Sequence, residues 1–439
     1  MLVAHAIVKR RLQCLILAGA VGGIAAGWVQ GRAAAADLFS TPAADARVRA
    51  CTAEGPGFVF IPGTDTCLRV GGYLWVEGYY NTYTQYPPNY DKTYSISTGA
   101  LILDTRTATD YGTVRTYLET RFRWRTSDPW SDGPMTPTGS KPAQLDLRDA
   151  YVQFAGFTIG HGQSVFDFYG NANVLGTDPA TIGDDTRLNL VSYTSEISKN
   201  LSTSFSLEDA ANRQSGILAR NPILFGPYDF QAGVGAPDLV ANLKYQASWG
   251  TLQLSGALHQ VSATAVQTPA VTLGGGWGYA LQAGVMFNLP ALGEEDTLYL
   301  QSAYTSGATS YLGLQDPSGD YGAPDAFVGA GGNVTKVSGW NVTASLLHNW
   351  NERWSSALFG GYAAYDFNTT GIQAFYGASG GTNYNVGGYV AFAPVKQFSI
   401  ALQYDYTYNS ASSYRPTAFA PALPSVGAQQ VLLFISRDF

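Results

Sequence analysis

Arg115, Arg121, Arg123 and Arg125 share one parity with Glu119 over residues 113 to 125, and Val114, Leu118, Phe122 and Trp124 hold the other. Successive side chains of a strand point to opposite faces, so this segment carries four guanidiniums and a carboxylate on one side and large apolar groups on the other. A row of fixed cations can bind anions, pair with acids or set a field across a gap. It performs no covalent chemistry by itself. Residues that could do so are few. Gly377-Ala378-Ser379-Gly380-Gly381 superficially resembles a serine nucleophile loop, yet it lies in a glycine-rich stretch with no histidine nearby. His161 and Ser164 stand three apart, and closeness along a loop does not make a triad. His259 and His348 are single strand residues. No phosphate-cradling loop or cluster of metal ligands occurs, so neither cofactor nor catalysis is expected.

The arginine segment must belong to something larger. Charged residues make up 13% of the chain, well below the roughly 25% of globular proteins. Tyrosine (28), phenylalanine (21) and tryptophan (9) are abundant enough to supply aromatic girdles. Mean hydropathy is −0.04, and no run of about 20 apolar residues follows the N-terminal region, which excludes helical membrane spans. From Leu68 onward the chain alternates. Leu252, Leu254 and Leu258 oppose Gln253, Ser255 and His259; Phe398, Ile400, Leu402, Tyr404 and Tyr406 oppose Gln403 and Asp405. Such segments number about sixteen, centred near residues 75, 103, 119, 149, 158, 192, 205, 244, 256, 283, 301, 344, 358, 389, 403 and 434. Around Asp146 to Asp149 the charged residues break parity, which predicts a bulge. Asn349-Trp350-Asn351-Glu352 and Ser248-Trp249-Gly250-Thr251 read as tight turns, whereas 126–142, 211–237, 260–276, 306–338, 366–382 and 409–427 read as long loops. Short turns on one side and long loops on the other fit an outer-membrane barrel, with lipid outside and a water-filled lumen within. The fold expected is all-β: a 16-stranded antiparallel transmembrane β-barrel.

The N-terminus reads as an export signal. Lys9, Arg10 and Arg11 precede a mostly apolar stretch from Leu12 to Val29, and Ala34-Ala35-Ala36 offers a cleavage site, so residues 1–36 are expected to be removed. With Arg32 they hold four of the 25 basic residues and none of the 32 acidic ones, leaving 21 against 32, a net charge of −11. That balance argues against nucleic acid as a partner. Cys51 and Cys67 remain, in an exported chain, around the turn signals Gly55-Pro56-Gly57 and Pro62-Gly63-Thr64-Asp65. A disulfide closing a hairpin in segment 37–67 is favoured over a two-cysteine metal site, and the entropic model gives it about 3 kcal/mol. The barrel then occupies 68–439 and ends on Phe439, a terminal aromatic of the kind barrel-assembly machinery reads.

Phe58-Val59-Phe60-Ile61-Pro62-Gly63-Thr64-Asp65-Thr66-Cys67-Leu68-Arg69-Val70-Gly71-Gly72-Tyr73 resembles the opening of the alpha-proteobacterial (Rhizobiales-type) outer-membrane porin family. Ala150 to Gly160, followed by Gln163-Ser164-Val165-Phe166-Asp167-Phe168, is similar to the family's second hallmark, a strand pair leading into a loop that folds into the pore. Arg437-Asp438-Phe439 looks like its arginine-containing ending. The resemblance implies a homotrimeric general porin of the bacterial outer membrane, passing ions and small hydrophilic solutes by passive diffusion. A channel specific for sugars or organic acids is the alternative, and a barrel hydrolase a remoter one.

The resemblance also places the pore chemistry. The inward-folded constriction loop would run from about Ser164 to Asp185, with Asp167, Asp178, Asp184 and Asp185 as its acidic face. Opposite it would stand a basic wall of Arg106, Arg115, Arg121, Arg123, Arg125 and Arg148. Opposed charges across a narrow aqueous gap orient dipolar solutes and sort ions by sign. The acidic balance of the mature chain leans the channel towards cations, while the arginine face favours anions locally. Bilayer lipid and the phosphates of lipopolysaccharide are the expected surroundings. Refolded chain is expected to require detergent or lipid; a form that stays monodisperse in plain buffer, measured by light scattering, would overturn the membrane reading.

Overall fold

The computed structural model describes residues 49–83, 92–126, 144–177, 182–183, 185–220, 227–229, 231–265, 271–314, 323–329, 332–368, 379–410 and 425–439. The export segment lies outside them. Sixteen long strands form the wall: β1 Thr66–Tyr83, β2 Thr93–Thr109, β3 Gly112–Arg125, β4 Gln144–Phe154, β5 Phe157–Gln163, β6 Arg187–Ser198, β7 Leu201–Glu208, β8 Asp238–Ala247, β9 Gly250–Ala265, β10 Val271–Asn288, β11 Thr297–Ser306, β12 Ser338–Asn349, β13 Trp354–Asp366, β14 Gly380–Val395, β15 Phe398–Asn409 and β16 Val426–Asp438. Each centre read from the sequence falls in one of them. Every neighbouring pair is antiparallel, and β16 returns to pair with β1 from Tyr73↔Asp438 to Tyr83↔Ala428, closing the sheet. Closure leaves no edge whose N–H and C=O groups would face hydrocarbon unpaired. Among the described residues the helices are three short 3₁₀ turns, and none is long and apolar enough to cross a membrane.

Inside and outside follow the period of two. On β9, Leu252, Leu254 and Leu258 are exposed, whereas Gln253, Ser255 and His259 are buried. The same inversion of a soluble protein recurs on β1, where Leu74, Val76 and Tyr80 are exposed and Glu77 and Tyr79 are buried. Aromatic pairs band the outer surface near both ends: Tyr245–Trp249, Trp249–Phe287 and Trp354–Phe392 towards the short turns, Tyr279–Tyr304 and Trp340–Tyr362 towards the long loops. From Tyr279 to Phe287 a tilted strand rises roughly 20 Å, close to the height of a barrel's apolar band.

The chain ends are locked together. Gly72 and Phe439 exchange backbone hydrogen bonds of 3.1 and 3.0 Å. A Cβ on Gly72 would lie 2.7 Å from the Phe439 ring and 2.2 Å from the Ala100 carbonyl, so only glycine lets the terminal aromatic seat there. Val59–Phe60 adds a short strand to the start of β1, and a Cys51–Cys67 disulfide ties it down.

The expected bulge is present: pairing between β3 and β4 shifts between Glu119/Thr120, so Asp149 opposes Glu119 and Leu147 opposes Thr120. The expected loop 260–276 is largely absent. β9 and β10 stay paired out to Ala265↔Val271, with a register shift between Val261/Ser262. Glycines at 274, 275 and 276 read as loop, but they sit within the paired β9–β10 hairpin. The loops 209–237 and 307–337 also build a small sheet of their own, from Ile217–Arg220, Pro227–Asp229, Ala326–Val328 and Val334–Lys336.

Leu254 faces outward opposite Ala283, midway between the two aromatic bands. Leu254→Arg should cost about 2–4 kcal/mol in lipid. Tyr111→Arg, in an exposed turn, should cost about 0–1 kcal/mol. Urea unfolding of bilayer-refolded protein measures both.

Candidate functional site

After β5 the chain turns into the barrel instead of out of it. The inward loop, described over residues 164–177, 182–183 and 185–186, is held by polar side chains that the lumen face of successive strands presents. Glu208 Oε2 accepts from the Ser164 hydroxyl at 2.6 Å, and Asn242 Nδ2 donates to the Val165 carbonyl at 2.8 Å. Gln282 Nε2 donates to the Phe166 carbonyl at 2.8 Å, and Gln301 Oε1 accepts from the Tyr169 N–H at 2.9 Å. Gln403 both accepts from the Leu175 N–H and donates to its carbonyl. Glu77 takes the Thr177 N–H and hydroxyl, each at 2.6 Å, and Asn385 takes the Ile182 N–H at 3.0 Å. These anchors lie on β7, β8, β10, β11, β15, β1 and β14. Strand side chains thereby replace the regular pairing that the loop backbone lacks, which burial otherwise penalises. Val174 and Leu175 add apolar contact against a cluster that includes Tyr389, Leu432 and Phe434.

The anchors thus lie on one side of the lumen, across from the wall of β3 to β6. That wall carries the arginines, and Arg121, Arg123, Arg148 and Arg187 each have an acid. Arg121 Nη2 lies 3.2 Å from Glu119 Oε1, Arg123 Nη2 lies 2.7 Å from Asp146 Oδ2, and Arg187 Nη1 lies 2.7 Å from Asp149 Oδ1. Arg148 and Arg187 both pair with Asp185, which joins the returning end of the loop to the basic wall. Burial alone would raise the Asp185 carboxyl, but the two guanidiniums outweigh it and hold the group below the usual carboxylate range. Arg121 also lies over the rings of Tyr73 and Trp75, 5.5 and 5.0 Å from their centroids. Small Ala100 opposes both Arg121 and Tyr73, leaving room for that contact and for the Tyr73 hydroxyl to reach Glu119 at 2.7 Å.

The expected residues do not form one ring. Arg115 and Arg125 are ten positions apart on β3, about 33 Å along the strand. Arg115 and Arg106 oppose each other near the Thr109–Gly112 turn, share Asp104, and meet Glu54 of the disulfide hairpin through Arg106. Arg125 stands at the opposite end, 5.8 Å from the Tyr94 ring centroid. Arg121, Arg123 and Arg148 lie on the adjacent strands β3 and β4, between these two ends. Of the acids, Asp185 meets this group. Asp167 does not face it: Arg213 Nη2 holds it at 2.8 Å and the Thr186 N–H at 2.7 Å, buried behind the loop. Asp178 and Asp184 lie outside the described residues. Sequence reasoning missed Arg187, Asp149 and Glu77. Glu77 and Asp149 hold the lumen parity of their strands, and that was the available signal; Arg187 shares its parity with outward-facing Val191 and Tyr193, so alternation gave no sign of it. Ser164, considered as a nucleophile, donates its hydroxyl to Glu208, and Ser379 is an exposed residue whose carbonyl accepts from the Phe367 N–H.

Comparison with known proteins agrees with this architecture. A family model described as "Porin subfamily" matches residues 38–425. Porin Omp2b of Brucella suis biovar 1 is 28% identical over 314 residues, covering 71% of this chain and 78% of its own. Porin Omp2b of Brucella melitensis biotype 1 is 27% identical over the same length. Among solved structures, the outer membrane channel DcaP of Acinetobacter baumannii superposes with a TM-score of 0.63 at 15% identity, covering 87% of this chain and 99% of its own; that likeness concerns the fold.

Two consequences are measurable. A Cβ on lumen-facing Gly284 would stand 2.2 Å from the Phe168 ring, so Gly284→Val should unseat the loop and raise single-channel conductance with the barrel still folded. The lowered carboxyl of Asp185 keeps its charge, and its ion pairs, while pH falls through the ordinary carboxylate range near 4, and loses them only below it. Wild-type conductance should therefore stay steady through pH 4, and Asp185→Asn should give a noisier open level at every pH.

Proposed function

The chain belongs to the porin subfamily and forms a channel in the bacterial outer membrane, and from that premise we propose that its selectivity resides in the gap between the inward loop and Arg121, Arg123 and Arg148. The observation that supports this reading is the fastening of the loop to the lumen wall on one side and, through Asp185, to Arg148 and Arg187 on the other. A solute crossing this level meets fixed guanidiniums and carboxylates at close range in ordered water. Ions and small hydrophilic solutes keep favourable partners there, whereas an apolar solute would displace that water without replacing its interactions. No chemical step is involved. Arg106 and Arg115 act at the turn end of the wall and Arg125 at the loop end, as approaches to the gap.

The other assignments are proposals of the same kind. The homotrimer is the assembly implied by the family motifs. Lipid covers the apolar belt, lipopolysaccharide phosphates meet basic residues at the rim, and the assembly machinery reads Phe439. Heating should shift the native protein from a trimer band to a monomer band on gels; a single band at all temperatures would remove the trimer.

The gap makes a sharper claim. Arg121 and Arg123 are paired to Glu119 and Asp146, so their replacement leaves two carboxylates uncompensated. Arg121→Gln combined with Arg123→Gln should move the reversal potential in a salt gradient towards cations. An unchanged reversal potential would take both arginines out of the selective level.

A further inference from the structure

Above the inward loop, on the lumen face of β8 and β9, lies a buried ionic cluster that the channel reading does not use. His259 Nδ1 is 2.8 Å from Asp238 Oδ1, and its Nε2 is 3.6 Å from Asp325 Oδ2; all three side chains are essentially inaccessible. Asp325 belongs to loop 307–337. Its Oδ1 accepts the Thr309 N–H at 2.7 Å, and its Oδ2 accepts the N–H of Ser215, from loop 209–237, at 2.9 Å. Tyr311 donates to Asp238 Oδ2 at 2.7 Å, and the Arg213 guanidinium lies 4.2 Å over the Tyr311 ring. Arg213 in turn holds Asp167, whose other oxygen accepts the Thr186 N–H. Asp167 and Thr186 are the two ends of the inward loop. A continuous set of contacts therefore runs from His259, through both external loops, to the hinges of the constriction.

We propose that His259 is a positioning residue for the constriction, locking the external loops and the base of the inward loop into one body while its ring carries a proton on each nitrogen. This rests on the channel reading above. The argument is one of donors and charge. A doubly protonated ring attracts both carboxylates. A neutral ring that still donates to Asp238 turns an Nε2 lone pair towards Asp325, and attraction becomes repulsion at a site buried from solvent. The carboxylates against the ring are Asp238 on β8 and Asp325 on loop 307–337; Tyr311 joins through Asp238, Arg213 on loop 209–237 through Tyr311, Asp167 on the inward loop through Arg213, and Glu208 on β7 stands opposite Asp238 in the sheet. Four carboxylates thus surround two cations, so removing the imidazolium charge leaves the cluster with three uncompensated negative charges. Tyr311 does not relieve this. Burial pushes its phenol well above the usual range, so it keeps its proton and donates throughout. Asp325 is the weak point, because it is the one carboxylate that binds both external loops.

The test uses full-length protein reconstituted in planar bilayers, with single-channel recordings from pH 6 to pH 10. Wild type should hold a steady open level at pH 6 and lose it, through rapid closures, as alkaline pH removes the ring proton. His259→Gln should show the unsteady level at every pH, with a flat profile, which separates the effect from other alkaline titrations. If that variant does not refold, Asp325→Asn stands in: without a carboxylate facing the ring, the alkaline transition should disappear. A conducting wild type with a flat pH profile overturns the proposal, as does either variant retaining the wild-type profile. A wild type that forms no ion-conducting channel would instead overturn the channel reading.

Discussion

Hydrocarbon offers no hydrogen bonds, so every backbone N–H and C=O at membrane depth must find its partner inside the protein. The rest of the structure follows from that constraint. It requires the first and last strands to meet, which they do from Tyr73↔Asp438 to Tyr83↔Ala428, and it makes the seating of Phe439 beside Gly72 a condition of closure. Once the sheet is closed, the period of two assigns each side chain to lipid or lumen with no third option. An apolar residue such as Leu254 is then correctly placed when exposed, and a polar one such as Gln253 when buried.

A lumen lined by polar side chains has its own requirement, since buried donors and acceptors cost free energy unless paired. The inward loop meets it. Gln282, Gln301, Gln403, Glu77 and Asn385 each lend a side chain to the loop backbone, so that both sides gain a partner in each of these bonds. Because the anchors are spread over β7–β15 and β1, the loop is drawn to that side, and it meets the arginine wall through Asp185. The wall is then stabilised locally. Arg121, Arg123 and Arg187 each have a carboxylate in reach, so the field across the gap comes from ordered ion pairs and not from bare charge.

The strand centres, the bulge near Asp149, the disulfide pair and the sidedness of the 113–125 segment were all legible in the sequence, because each depends on parity or on neighbours close along the chain. The hairpin over Gln260–Gly276 was not: its glycines and threonines suit a loop, and only pairing between β9 and β10 makes them strand. Asp167 shows the same limit at the site. Its motif marked it as part of the inward loop, yet whether it faced the lumen or the wall depended on Arg213, 46 residues away.

The sequence by itself determined that this chain is an exported, edge-free sheet with lipid outside and polar side chains within, since alternation is a local property of the backbone. The tertiary structure alone decided which charges meet. Arg121, Arg123, Arg148, Arg187 and Asp185 come from three strands and a loop, and Asp238, His259 and Asp325 converge from two strands and another loop. Electrostatic partnership falls off over a few ångströms, and that distance is set by barrel closure and loop packing, which no spacing along the chain encodes.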